Sequence, residues 1–445
     1  MRNRLFNLLD ELQASYWYIP SVMATIAVVG AILAITLDQR FGFTIAEIIP
    51  ISSDPAGTRL MMSSLAGSVL GIAATSFSIT IVAMTLASQQ FGPRLLDNFM
   101  RDRGNQIVLG IFIAVPSYCL VVLWGIQGTE GAYFVPQLSV TIGVILGAFS
   151  FGALIYFIHH TAESIRVSNI LNRVAQDMLS KADELYPSGT GIGVDEPPTS
   201  LQKRIPLAFK ENSVTVLAED NGYIQGIDID RLFNLAKDNE LLIKLLYNPG
   251  DYVTQGMPTA QIYPMNKATK EIAAEVIETV LLTAERSHNQ DLGFMFRKMA
   301  ETGIRALSPG VNDPYTATMS IDHLGAMLSR IVVHGLPSPY RMDEDDMLRL
   351  ILPEITLETL LRISFEQMRF YAASDLTVIT HLLTVLGIVA KNAHRAEDKA
   401  IIAKHIERTK TYLDAFDEAK WDVAFGREAY IKAIENLEST PEVVL

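Results

Sequence analysis

A single cysteine, Cys119, stands in 445 residues. No intrachain disulfide can form, and nothing in the cysteine usage implies an oxidising compartment. Cys119 lies in an apolar run and reads as a small buried or lipid-facing side chain. Charge is scarce as well. Only 19% of the residues are Asp, Glu, Lys or Arg, against about 25% in an ordinary soluble domain. Bases are outnumbered by acids, 36 to 49, for a net charge of −13. A chain so poor in cations lacks the surface that neutralises phosphates, which excludes nucleic acid as a partner class. Also missing are a Walker A loop, a dinucleotide Gly-rich loop, HExxH, CxxC and any G-x-S-x-G context around Ser308. The sequence therefore assigns no catalytic residue, cofactor or metal, and points away from an enzyme.

What is abundant is apolar residues, 49% of the chain, with a mean hydropathy of +0.24. They gather into four runs free of Asp, Glu, Lys, Arg and His: 17–36, 65–88, 107–126 and 135–158. Each reaches the ~20 residues that cross a hydrocarbon core of about 30 Å. Arg2 and Arg4 precede the first run, but Asp10 and Glu11 intervene and no small-residue cleavage site follows cleanly, so the run reads as a retained helix rather than a signal peptide. Tyr16, Trp17 and Tyr18 mark its start as interfacial aromatics do, and residues 2–12 read as a short amphipathic surface helix. Arg2, Arg4, Arg94, Arg101, Arg103, Arg166 and Arg173 fall on one side of the four runs, Arg40 and Arg59 on the other. The positive-inside rule then places both termini in the cytoplasm of a multi-pass inner-membrane protein.

The expected architecture is a mainly α membrane protein. A four-helix transmembrane domain (1–164) leads through a helix and Gly/Pro-rich linker (165–204) to a small β-barrel-like module (205–265) and a helical cytoplasmic domain (266–445). The β module rests on strand-like segments at 213–218, 223–228, 242–246, 252–253 and 260–263, with turn signals at Asn221-Gly222 and Pro249-Gly250-Asp251. The order loosely resembles a biotinyl/lipoyl-like barrel or the hairpin of membrane adaptor proteins, but the Met-Lys-Met turn that carries the prosthetic group is absent, which disfavours a swinging arm. Beyond it, helices are expected over 270–285, 292–307 with Asp291 as N-cap, and from Asp313-Pro314 to about His334, then at 354–370, 374–392, 395–418 and 426–437, with 335–346 as a Pro-rich acidic connection. The apolar stretch 376–390 is short for a span and reads as a core helix.

Asn221-Gly-Tyr-Ile-Gln, Pro249-Gly-Asp-Tyr-Val, Glu285-Arg-Ser-His-Asn-Gln-Asp and, most specifically, Arg305-Ala-Leu-Ser-Pro-Gly-Val-Asn-Asp-Pro-Tyr-Thr-Ala follow four apolar helices. This order resembles the bacterial predicted-membrane-protein family called domain of unknown function 2254, over nearly the whole chain. The resemblance implies an inner-membrane protein and brings no activity or catalytic residues with it.

Two constellations carry candidate function. The second run is filled with small and hydroxyl residues, with GxxxG spacing at Gly67 and Gly71. Such a stripe serves close helix packing or lines a pore. The pore reading selects Gly71, Thr75, Ser78, Thr80 and Thr85, with Arg94 beyond the end as a basic mouth that favours anions. Both uses are compatible in a homo-oligomer. The absence of ionisable residues within the runs disfavours a proton-coupled carrier. The second constellation is Arg286, His288, Asp291, Asn312, Asp313, Thr316 and His323, which either line a site for a small ligand or ion or form caps and a buried polar network. His159-His160, at the end of the fourth run, reads as a polar boundary with no partner named by the sequence. The functional expectation is an oligomeric channel or passive transport protein in the bilayer, regulated by its cytoplasmic domain. The alternative is a membrane-anchored scaffold or ligand sensor that conducts nothing.

Overall fold

In the computed structural model, the described residues are 16–41, 54–91, 102–129, 132–164, 166–184, 192–193, 201–284, 286, 290–336, 338–418 and 422–439. The chain divides into two compact units, 1–170 and 171–445.

The first unit is built on four helices long and apolar enough to cross a membrane: α1 (Tyr18–Phe41), α2 (Pro55–Phe91), α3 (Arg103–Gly125) and α4 (Gln137–Ser164). A short hairpin, β1 (Gln127–Thr129) with β2 (Ala132–Phe134), joins α3 to α4. α3 is the central helix and packs against the other three. Its inward residues Val108, Phe112, Val115, Cys119 and Val122 form a core with Ala31 of α1, Met62 and Val69 of α2, and Val140 and Phe157 of α4. Cys119 is thus buried.

Glycines let these helices approach. A Cβ on Gly110 would stand 2.3 Å from the Met23 sulfur, on Gly125 2.8 Å from Ile35, and on Gly147 2.4 Å from Leu65. The helix ends are capped from within the bundle. Asp102 caps α3 through the Asn105 N–H. Asp38 of α1 caps α4, accepting from the Leu138 and Ser139 amides at 3.0 and 2.9 Å. Tyr118 donates to the Ser139 carbonyl at 3.0 Å, and Arg59 to the Ile126 carbonyl at 2.7 Å. Each bond satisfies a polar group that lipid could not.

The second unit begins along α5 (Val167–Glu184) and is mixed. Its strands are β3 (Ile192–Gly193), β4 (Val214–Leu217), β5 (Gly222–Ile227), β6 (Leu242–Leu245), β7 (Tyr252–Val253), β8 (Pro258–Tyr263), β9 (Val280–Thr283), β10 (Tyr340–Met342) and β11 (Leu348–Ile351). Its helices are α6 (Ile229–Asp238), α7 (Lys270–Glu278), α8 (Leu292–Ala306), α9 (Pro314–His334), α10 (Leu357–Tyr371), α11 (Leu376–Asn392), α12 (Ala396–Leu413) and α13 (Ala424–Glu438).

The structure corrects the expected barrel-like module: among the described residues the strands do not close. They form an open six-stranded sheet in the order β3-β10-β11-β6-β8-β4 and a three-stranded sheet β7-β5-β9. β11 runs parallel to β6, and the other ladders are antiparallel. The sheets recruit strands from beyond residue 265. The helix expected over 270–285 ends at Glu278, because Val280-Leu-Leu-Thr pairs with β5 instead. The connection expected at 335–346 contains β10, which pairs with β11. Ile224, Leu232, Ile243, Val253, Ile262, Val276 and Leu350 share one core.

Downstream, α8 and α9 form an antiparallel hairpin around Met299, Leu324 and Leu328. Asp291 caps α8, and Asp313 with Pro314 opens α9, as the sequence leads one to expect. α11 packs between α9, α12 and α13. Leu382, Leu383, Leu386 and Val389 of α11 are fully buried in this unit, the setting of a core helix.

Candidate functional site

The membrane candidate lies on α2. Its buried edge is Met62, Ala66, Val69, Ser76, Thr80 and Ala83. The opposite face carries Ser64, Gly67, Ser68, Gly71, Ala74, Thr75, Ser78, Val82 and Thr85, all exposed in the single chain. Gly71, Thr75, Ser78 and Thr85 therefore share one face, while Thr80 points into the protomer. Arg94 lies outside the described residues. At Gly67 and Gly71 a Cβ would meet no atom within 4 Å. The close approaches within the bundle are made by Gly110, Gly125 and Gly147, whereas the GxxxG pair of α2 meets none of the other described residues. Thr75 and Thr85 donate back to the Gly71 and Ile81 carbonyls at 3.0 and 2.9 Å. The oxygens of these two threonines keep accepting capacity while their own donors are spent.

The second constellation separates into two groups. Arg286 donates to Asp291 at 2.5 Å and lies over the Phe294 ring at 5.5 Å. Asp291 also accepts from the Phe294 amide at 2.8 Å as the α8 cap. Burial pushes the Asp291 carboxyl above the usual carboxylate range, against the pull of Arg286. The Pro249-Gly250 turn closes over this pair. Gly250 has φ +92°, and a Cβ there would fall 1.7 Å from Asp291 Oδ2. Two of the four sequence motifs thus meet at one point. Gln290 completes the junction, its side chain accepting from the Ile227 amide at 2.8 Å and donating to the Ile227 carbonyl.

Asn312, Asp313 and Thr316 sit at the other end of the α8–α9 hairpin. Asp313 accepts from the Thr316 amide at 3.1 Å and hydroxyl at 2.6 Å, and Asn312 takes a left-handed φ of 51° to make the turn. The 15 residues of α8 hold the two groups roughly 20 Å apart. His323 lies midway along α9, half-buried, its pKa lowered chiefly by desolvation. Its neighbour Asp322 pairs with His381 of α11 at 2.7 Å. His288 lies outside the described residues.

At the Asp291 end the second unit holds a cavity of about 420 Å³. Apolar walls come from Ile227, Leu292, Met327, Ile331 and Leu352, and Asn248, Asp291, Arg330, His334 and Glu354 reach its rim. A largely apolar pocket with a few convergent polar groups is the usual form of a small-molecule site. Of the sequence candidates among the described residues, only Asp291 lines it. Sequence reasoning does not find Arg330, His334 and Glu354, because they come from the far end of α9 and the strand exit after β11, which no sequence spacing connects.

The architecture defines an integral membrane protein with four apolar helices and a larger mixed α/β unit. The chain belongs to the family described as "predicted membrane protein (DUF2254)", which matches residues 13–387. It is 32% identical over 402 residues to uncharacterised proteins of Mycobacterium bovis and of two Mycobacterium tuberculosis strains, covering 88% of this chain and 75% of each relative. No solved structure matches the chain.

Proposed function

We propose that the protein is a homo-oligomeric channel or passive transport protein of the bacterial inner membrane, both termini in the cytoplasm, whose second unit regulates passage. The observation that carries this reading is the unpartnered face of α2. Small residues on a transmembrane helix let another backbone approach, and among the described residues nothing lies within 4 Å of a Cβ at Gly67 or Gly71. A second copy fills that role. Around an axis of copies, Thr75, Ser78 and Thr85 offer hydroxyl oxygens to a passing ion, with Arg94 at the proposed cytoplasmic mouth. Purified full-length protein in liposomes is expected to show ion flux, altered by Thr75→Val and Thr85→Val. Absence of flux across a panel of anions and cations defeats the reading.

The cavity at the Asp291 end favours a second reading, a ligand sensor that conducts nothing, and it equally serves as the regulatory site of the first. The domain division expected from the sequence, with residues 266–445 as a regulatory cytoplasmic part, belongs to either reading. Liposomes that pass no ion, made from protein whose stability still responds to a small molecule, would select the sensor.

A further inference from the structure

The 420 Å³ cavity at the Asp291 end is walled by several separate stretches of the second unit, and contacts between them hold it open. Gln290 binds the Ile227 backbone with both ends of its amide, at 2.8 and 3.2 Å. A Cβ on Gly250 would strike Asp291, and one on Gly293 would stand 3.7 Å from Ile355 Cδ1. The Leu352 amide donates to the Pro339 carbonyl at 2.8 Å. The start of α8 is thereby tied to the end of β5, to the 249–250 turn and to the segment after β11, and that segment to the chain leaving α9. Met327, Arg330, Ile331 and His334 present one face of α9 to the space. Pro249, Pro339 and Pro353 stiffen the wall, so the space is formed before anything enters it.

The inner polar groups are already spent. Asp291 Oδ2 is taken by Arg286 and Oδ1 by the Phe294 amide, and Gln290 is used up on Ile227. The other buried lining residues are Ile227, Leu292, Met327, Ile331 and Leu352. Asn248 differs: its backbone amide donates to Asp251, but its carboxamide makes no hydrogen bond among the described residues. Arg330, which is already engaged, is half-buried at the mouth, where His334 and Glu354 are exposed. Water inside such a space finds few partners. An ion finds only an uncharged carboxamide, too little to offset its lost hydration. A charge left at the mouth meets groups of both signs in solvent, where pairing gains little.

We propose that the cavity binds a small uncharged, largely apolar molecule with one hydrogen-bonding group, its body against Met327, Ile331 and Leu352 and its polar group toward Asn248. The proposal rests on the reading of this cavity as a ligand site, regulatory or sensory, and adds the class of ligand. Burial of the apolar body supplies the affinity. Asn248, which both donates and accepts, sets the orientation.

The test is thermal unfolding of detergent-purified full-length protein with two uncharged probes, indole and p-cresol, and two charged ones, indole-3-acetate and tryptamine. The uncharged pair is expected to raise Tm saturably by about 2 °C at ten times Kd, and the charged pair to need at least tenfold more for the same rise. Met327→Trp, which fills the space, abolishes the rise. A saturable rise from a charged probe at equal or lower concentration, lost in Met327→Trp, overturns the uncharged class and leaves the cavity reading standing. No saturable rise from any of the four overturns both, as does a rise that Met327→Trp retains in full. If Met327→Trp does not fold, equilibrium dialysis of radiolabelled indole against protein and against matched empty micelles decides. Saturable binding, with half-saturation about fivefold higher in Asn248→Ala, supports the proposal. Uptake equal to that of empty micelles, or equal binding by Asn248→Ala, overturns it.

Discussion

Asp38 and Ser139 are joined twice across the membrane bundle. Asp38 Oδ2 accepts from the Ser139 amide at 2.9 Å and from its hydroxyl at 2.7 Å, while Oδ1 takes the Leu138 amide. A carboxylate from the last turns of α1 thereby supplies the cap that α4 does not carry in its own sequence. Asp38→Ala leaves buried amide donors orphaned and is expected to destabilise the protein by about 2–3 kcal/mol. Asp38→Asn, which keeps an acceptor, costs less. Unfolding in detergent followed by circular dichroism measures both.

Gly250 and Gly256 form a controlled pair. Both have positive φ, +92° and +84°, but a Cβ on Gly250 strikes Asp291 whereas one on Gly256 meets nothing within 4 Å. Gly256→Ala carries backbone strain alone, about 1–2 kcal/mol. Gly250→Ala adds displacement of the Arg286–Asp291 pair and is expected to exceed it clearly in denaturant unfolding. Equal losses would mean the turn does not press on that pair.

His405 of α12 is fully buried beside Arg369 of α10, with Nδ1 3.3 Å from Arg369 Nη1. Burial, helped by the Arg369 charge, pushes the imidazole down to about 4. The unfolded chain binds the proton near pH 6.5, so the unfolded state gains protons first as pH falls. Stability is full above about pH 6.5 and is lost between there and pH 4, by up to about 3 kcal/mol from this group. The imidazole resonances should titrate near pH 4 in the folded protein. A midpoint near 6.5 would contradict the burial argument.

Substitution on the open face of α2 separates assembly from folding. Because a Cβ at Gly67 or Gly71 meets nothing within 4 Å among the described residues, Gly67→Leu/Gly71→Leu should leave the protomer folded with wild-type helix content. The proposed contact between copies is lost, which native mass spectrometry in detergent reads as a fall in subunit number. An unchanged assembly would place the subunit contact elsewhere.

How legible these features are in the sequence depends on the distance over which they act. The four apolar runs mark all four membrane helices because hydropathy is local and the bilayer fixes its length. The caps Asp291 and Asp313 are readable because each binds an amide three residues on. β9 and the parallel ladder that joins the β10–β11 hairpin to the sheet are not: Val280–Thr283 pairs with Gly222–Ile227, and Leu350 pairs with Ile243. Such pairing is non-local, and an amphipathic helix pattern running up to Val280 hides the switch. The partner of His160 is invisible for the same reason, Asp102 being 58 residues away. The clustering of Arg286, Asp291, Asn312, Asp313 and Thr316 within a short stretch suggests one site. A helical hairpin turns nearness in sequence into opposite ends in space.

One consequence concerns reach. α2 holds 37 residues in a single helix, roughly 55 Å of rod at 1.5 Å per residue. Fitting that within about 30 Å of hydrocarbon by leaning alone would take an inclination near 57°, steeper than the 0–40° common to membrane helices. At least one end of the rod must therefore stand clear of the acyl chains. A stiff member that passes unbroken from the bilayer interior into the headgroups or the water converts a small rocking at one depth into a larger displacement at the other.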